Sequence, residues 1–195
     1  KLISDKLGIS TGNLTFHYPT KEHLLAVLVE MLCDFQWSSM ETALEEGSSP
    51  LMALCLELSA MAAMCEENEI ARDFYLSAYT YPVTLDTIRV SDKNKAKRLF
   101  APYCVGWDDT YFAEAETLVS GIEYATLMNS ASSPELPVRI GGALKAILSV
   151  YGVPAEQCQE CIDKVLQMNY RHIGQQVLKE FTEYVFRLDR TSGYT

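Results

Sequence analysis

The chain has 195 residues, 48 % apolar and 22 % charged, with 16 Lys and Arg against 26 Asp and Glu for a net charge of −10. That composition is ordinary for a soluble globular protein. Apolar runs such as Leu24–Val29 fall far short of the ~20 residues a membrane-spanning helix needs. Overall acidity argues against nucleic acid, because neutralising phosphates requires Lys and Arg. The charge is unevenly placed, however. Residues 1–30 carry Lys1, Lys6 and Lys21 against Asp5, Glu22 and Glu30, so the whole deficit lies in residues 31–195. A neutral head on an acidic body suggests two tasks.

Helical periodicity runs almost throughout, and no strand-type alternation lasts long enough to count. A first helix ends near Leu7-Gly8, where Gly supplies the left-handed closing residue. Ser10 caps a short second helix that Pro19 stops, and Thr20 caps a long one over 20–46. Leu24, Leu25, Leu28, Met31, Leu32, Phe35 and Met40 form the apolar stripe of that long helix. Gly47-Ser48-Ser49-Pro50 ends it and starts the next, since Pro suits a first helical position. Further helices are expected over 50–67, 69–81, 84–100, 107–129, 138–151, 154–169 and 170–189, with Pro82 as a break. The block S-A-S-S-P-E-L-P at 130–137 reads as a loop. The expected fold is all-α.

The head supports a specific geometry. A helix-turn-helix packs two helices through a tight turn that usually contains Gly. Ile3 and Leu7 lie four apart on one face, Ser4 is small enough for close approach, Ile9 plugs the angle and Leu14 returns the contact. The outward residues are then Thr11, Gly12, Asn13, Thr15, Phe16 and His17, short or planar groups suited to phosphates and base edges. Lys21, beside a helix N-terminus, suits an anion, with a solvated charge as the plain alternative.

The stretch L-G-I-S-T-G-N-L-T-F-H-Y-P-T-K-E-H-L-L at 7–25 resembles the DNA-binding signature of TetR-family transcriptional regulators. Ser10, Gly12, Leu14, Tyr18, Thr20, Lys21, Glu22 and Leu24 match in register. The direct motif covers about the first 30 residues, and the remainder resembles the family only in layout. The resemblance implies a partial DNA-binding domain at 1–30, with the family's first helix lying upstream of Lys1. It implies a helical ligand-binding and dimerisation domain at 31–195. It assigns DNA contact to Ser10, Thr11, Gly12, Asn13, Thr15, Phe16, His17, Tyr18 and Lys21. Thr15-Phe16-His17 stands where many members have Tyr-x-Tyr, so the operator sequence does not carry over.

The implied function is a cytoplasmic repressor, a homodimer on a palindromic double-stranded DNA operator, released when a small apolar effector binds. Candidate effector contacts are the Met- and aromatic-rich positions Met61, Met64, Phe74, Tyr75, Tyr79, Tyr103, Trp107 and Tyr111, with plain core as the competing reading. Tyr81 and Phe112 belong to the same stretches. Arg72, Glu114 and Glu123 could add a polar contact or simply face solvent. The broad apolar stripe of the last helix, Ile173, Val177, Phe181, Tyr184 and Val185, is the expected dimer surface. Lys93, Lys95, Lys97 and Arg98 read as a solvated face rather than a DNA patch.

Enzyme chemistry finds little support. None of His17, His23 and His172 has Glu three residues before it, so the di-iron bundle pattern is absent. No phosphate-binding loop, dinucleotide fingerprint or nucleophile elbow occurs. Neither a cofactor nor a metal is expected. Six Cys read as reduced, mostly buried thiols. Cys158 and Cys161 form one C-x-x-C, read as two small residues a turn apart, with thiol or metal sensing as the alternative. A helical interaction protein that keeps the fold without operator binding is the remaining rival.

Overall fold

Ser10 accepts a hydrogen bond from the Asn13 amide at 3.0 Å and starts α1, Thr11–His17. The computed structural model describes residues 10–44 and 49–191. The expected contacts of Ile3, Ser4, Leu7 and Ile9, and the Gly47-Ser48 break, lie outside the described residues. Pro19 follows α1 and bars its continuation, because a residue before proline is pushed out of the helical region.

α2, Lys21–Ala43, begins at once. Thr20 occupies its N-cap position, but the hydroxyl bonds His23 Nδ1 at 2.9 Å rather than a backbone amide. α2 ends at Ala43, three residues short of the expected Glu46. Ser49 caps α3, Pro50–Glu67, with Pro50 in its first turn as expected. α4, Glu69–Thr80, is capped by Asn68, which accepts from Ala71 N at 3.0 Å. Pro82 opens α5, Pro82–Leu99, rather than merely ending α4. Asp108 caps α6, Asp109–Leu127, through two amides. α7, Leu136–Val150, α8, Ala155–Gln167, and α9, Tyr170–Thr191, complete the order. The described chain is all-α, and no helix in it is long and apolar enough to cross a membrane.

α3 is the axle of the bundle. It is apolar nearly all round, which only a helix surrounded by others tolerates. α2, α4, α6, α7, α8 and α9 all touch it. Its core residues Cys55, Leu56, Ala60, Ala62 and Ala63 are completely enclosed. At its C-terminal end Glu66 and Glu67 receive Arg139 of α7 and Arg171 of α9. α9 crosses α3 closely. A Cβ on Gly174 would stand 2.7 Å from the Ala60 carbonyl oxygen and 2.9 Å from Met64 Cγ.

Gly152 ends α7 with φ +70°. Val153 N donates to Leu148 O and Gly152 N to Ser149 O, each at 3.0 Å, the paired bonds of a Schellman cap. That cap leaves Tyr151 buried and stacked on Phe100 at 3.9 Å.

Candidate functional site

Two regions stand out, an exposed short helix and a polar cavity inside the bundle. α1 shows Gly12, Asn13, Thr15, Phe16 and His17 to solvent, with Tyr18 half-buried. Phe16 and His17 meet edge to face at 5.2 Å. Lys21 keeps 74 % of its side-chain surface. Its Nζ lies 5.7 Å from the centre of the Tyr81 ring, within cation–π range. The head residues therefore share one end of the molecule, with Lys21 tied to the α4–α5 junction.

The cavity, about 50 Å³, lies among α2, α3, α4, α5, α6 and the end of α7. Its lining carries four carboxyl groups, Glu57, Asp92, Glu116 and Glu123, and one ammonium, Lys95. Lys95 pairs with Glu57 at 3.4 Å and Asp92 at 3.3 Å, and lies 5.4 Å from the centre of the Trp37 ring. Burial works against its charge, but Glu57 and Asp92 outweigh burial and raise its pKa. Tyr79 donates to Glu123 at 2.9 Å, and Tyr151 donates to Glu116. Arg89 donates to Ser120 at 3.0 Å just outside the lining.

Burial pushes Glu116 up to about 8, helped by the charge of Asp92 and opposed by the Tyr151 hydrogen bond. Glu123 is raised well above the carboxylate range by burial, then by Asp92 and Glu116. Burial also raises Glu57 and Asp92 against the pull of Lys95. Asp92 keeps 23 % of its side-chain surface, so water screens it more than it screens Glu116. Two polar atoms complete the picture. Gln36 Nε2 and Tyr75 Oη line the cavity and have no hydrogen-bond partner, although these residues are only 2 % and 5 % exposed. The Gln36 amide weakly opposes the upward pKa shift of Tyr75, but it makes no hydrogen bond of sound geometry.

Beside the cavity runs an apolar groove of about 300 Å³, bounded by α2, α4, α9 and Met64 of α3. Leu32, Phe74 and Tyr75 line both spaces.

Of the residues expected to meet an effector, Met61, Phe74, Tyr75 and Tyr79 line the cavity, and Met64 lines the groove. Tyr103, Trp107 and Tyr111 line neither. Tyr103 donates to Gln157 at 2.9 Å, Trp107 packs on Phe112, and Tyr111 is exposed. Glu123 faces inward, whereas Arg72 pairs with Glu69 and Glu114 is exposed. Lys95, read as part of a solvated face, is 7 % exposed. Its neighbours Lys93 and Lys97 pair with Asp109.

The residues expected to form a dimer surface are largely spent within the chain. Val177 and Phe181 are buried, and Phe181, Val177 and Val185 wall the groove. Phe35 lies against both Phe181 and Tyr184. Ile173 packs half-buried on the core.

Glu57, Glu116, Tyr151 and Gln36 escaped sequence reading. A signal was present in the first two. Glu57 interrupts an apolar run on α3, and Glu116 falls one turn after Phe112 and one before Val119 and Ser120. Among the described residues, no three His, Cys, Asp or Glu converge as a metal site. Cys158 and Cys161 are buried, and Cys55 lowers Cys161 to about 7 through a thiol hydrogen bond.

The fold and cavity together define an α-helical bundle with a polar interior site and an exposed short helix at one end. No family model, curated protein or solved structure matches the chain.

Proposed function

We propose that the chain is a cytoplasmic, ligand-responsive DNA-binding regulator of the TetR type, a repressor whose effector occupies the interior cavity. It is a binding protein rather than an enzyme. The observation that carries this reading is continuity. α1 presents the small and planar residues of the head, and α2 follows within three residues. α2 then lines the cavity with Val29, Leu32, Cys33 and Gln36. A ligand that repositions α2 moves the head with it. A second link runs through α4, which carries Tyr75 and Tyr79 in the cavity and ends at Tyr81 under Lys21.

Two-fold operators need two recognition helices about 34–36 Å apart, so this reading needs a dimer. Val177 and Phe181 of the α9 stripe are buried within the chain, while Tyr184 stays exposed. The outer faces of the adjacent helices α6 and α7 are exposed along their length. Tyr111, Leu118, Gly121 and Ala125 share one exposed face of α6, and Val138, Gly142 and Ser149 share one of α7. Glu114 and Lys145 lie on those faces and supply opposite charges for a self-complementary contact with a second copy.

Selection of bound DNA from a random pool tests the function. Enrichment of a palindrome is expected, and failure to enrich any sequence overturns the proposal.

A further inference from the structure

We propose that the cavity receives the positively charged head of an amphiphilic amine, an alkylammonium whose tail lies in the apolar groove beside α9. This deepens the effector half of the proposed function and rests on it.

Charge comes first. Four carboxyl groups face a single ammonium in the lining. Lys95 is already shared between Glu57 and Asp92. Glu116 and Glu123 have only tyrosine hydroxyls as the hydrogen-bond partners of their carboxylates. A buried carboxylate is costly unless paired, so these two stay protonated or acquire a cation. A cation gains an ion pair by drawing protons off Glu116 and Glu123, which neither an anion nor a neutral molecule does.

Gln36 Nε2 and Tyr75 Oη are buried beside each other on the same cavity without a well-formed hydrogen bond. Buried polar groups left unpaired are costly, so native structures seldom leave them without a purpose. The Tyr75 oxygen accepts N–H bonds.

Size and shape then choose the class of cation. The cavity holds about 50 Å³, room for a few water-sized groups but not for a ring system. The acids are spread around the lining rather than converging on one point, and no metal-type cluster forms among the described residues. The neighbouring groove of about 300 Å³ is walled by side chains such as Leu28, Met64, Val177, Phe181 and Val185. Leu32, Phe74 and Tyr75 belong to both walls, so only those side chains separate the two spaces, and the proposed ligand reaches both by displacing them. A compact ammonium on an unbranched chain fits both.

Binding is linked to pH. Glu116 and Glu123, raised by burial, give up protons when an ammonium enters. Glu57, Asp92 and Lys95 face the same space, and Cys33, Tyr75, Tyr79 and Tyr151 are its other titratable groups. The phenols and Cys33 are raised, so they stay neutral near pH 7. Affinity therefore rises as pH climbs through about 8, where Glu116 ionises.

The test is calorimetric titration of the 195-residue chain with n-octylammonium, 1-octanol and octanoate, in two buffers of different ionisation enthalpy at pH 7. Octylammonium is expected to bind at least ~10-fold more tightly than octanol, with net proton release. Glu123→Gln and Glu116→Gln should each reduce the preference and the proton release. The wild-type comparison needs no variant, so it stands even if these substitutions impair folding. Equal binding of octanol or octanoate, absence of octylammonium binding, or binding without proton release overturns the inference. DNA selection is read separately. Enrichment of an operator without amine binding overturns this inference alone, and amine binding without any operator overturns only the regulator.

Discussion

Glu116 sits almost out of reach of water, held by the Tyr151 hydroxyl and pushed up to about 8 by burial. Its ordinary value is 4.5, so between pH 4.5 and 8 the folded chain binds a proton that the unfolded chain has lost. Stability contributed by this group is present in full below pH 4.5 and is lost as pH rises through 8. The slope from one group is at most about 1.4 kcal/mol per pH unit. Glu116→Gln removes that component. Urea midpoints at pH 5.5 and 8 should lie closer together in the variant than in the wild type. An unchanged difference would place the Glu116 carboxyl in water. Glu57 and Glu116 stand in the sequence as charges on otherwise apolar faces, a signal that went unread. Their partners left no such signal, because Tyr151 and Glu116 lie on different helical segments and meet only once α6 and α7 pack.

At the scale of elements, capping residues and proline positions were legible before any tertiary contact. Ser10, Ser49, Asn68 and Asp108 each accept from an amide two or three residues ahead. Such bonds are local and follow from residue type. Thr20 is the exception, because its hydroxyl turns to His23. The crossing of α9 over α3 depends on a missing side chain. Gly174→Ala places a methyl group 2.7 Å from a backbone oxygen that cannot swing aside. Overpacking of this kind costs about 1–3 kcal/mol. The variant should show a lower melting temperature with its helical signal retained, and an unaltered melting temperature would mean that α9 shifts freely.

At the scale of the whole molecule, part of the apolar stripe expected to form an interface turns inward. α9 has the broad stripe expected of an interface, yet Val177 and Phe181 are buried against the chain itself. Phe181→Asp should therefore unfold the protein rather than dissociate it, seen as loss of helical signal at 222 nm together with loss of cooperative melting. Leu118→Asp combined with Val138→Asp should give folded monomers from a dimeric wild type by sedimentation equilibrium. A monomeric wild type, or a double variant that remains dimeric, removes the α6–α7 face from the proposal.

The all-α class, the order of helices and their ends within a few residues were determined by the sequence alone. Periodicity, caps and proline act within one or two turns of chain. Tertiary structure decided which aromatic residues meet a cavity, separating Tyr75 and Tyr79 from Tyr103, Trp107 and Tyr111. It also decided that Lys95 lies inside among acids while Lys93 and Lys97 pair with Asp109 near the surface. Those outcomes depend on how helices distant in sequence cross and which of their sides meet, and periodicity along one helix leaves that crossing open.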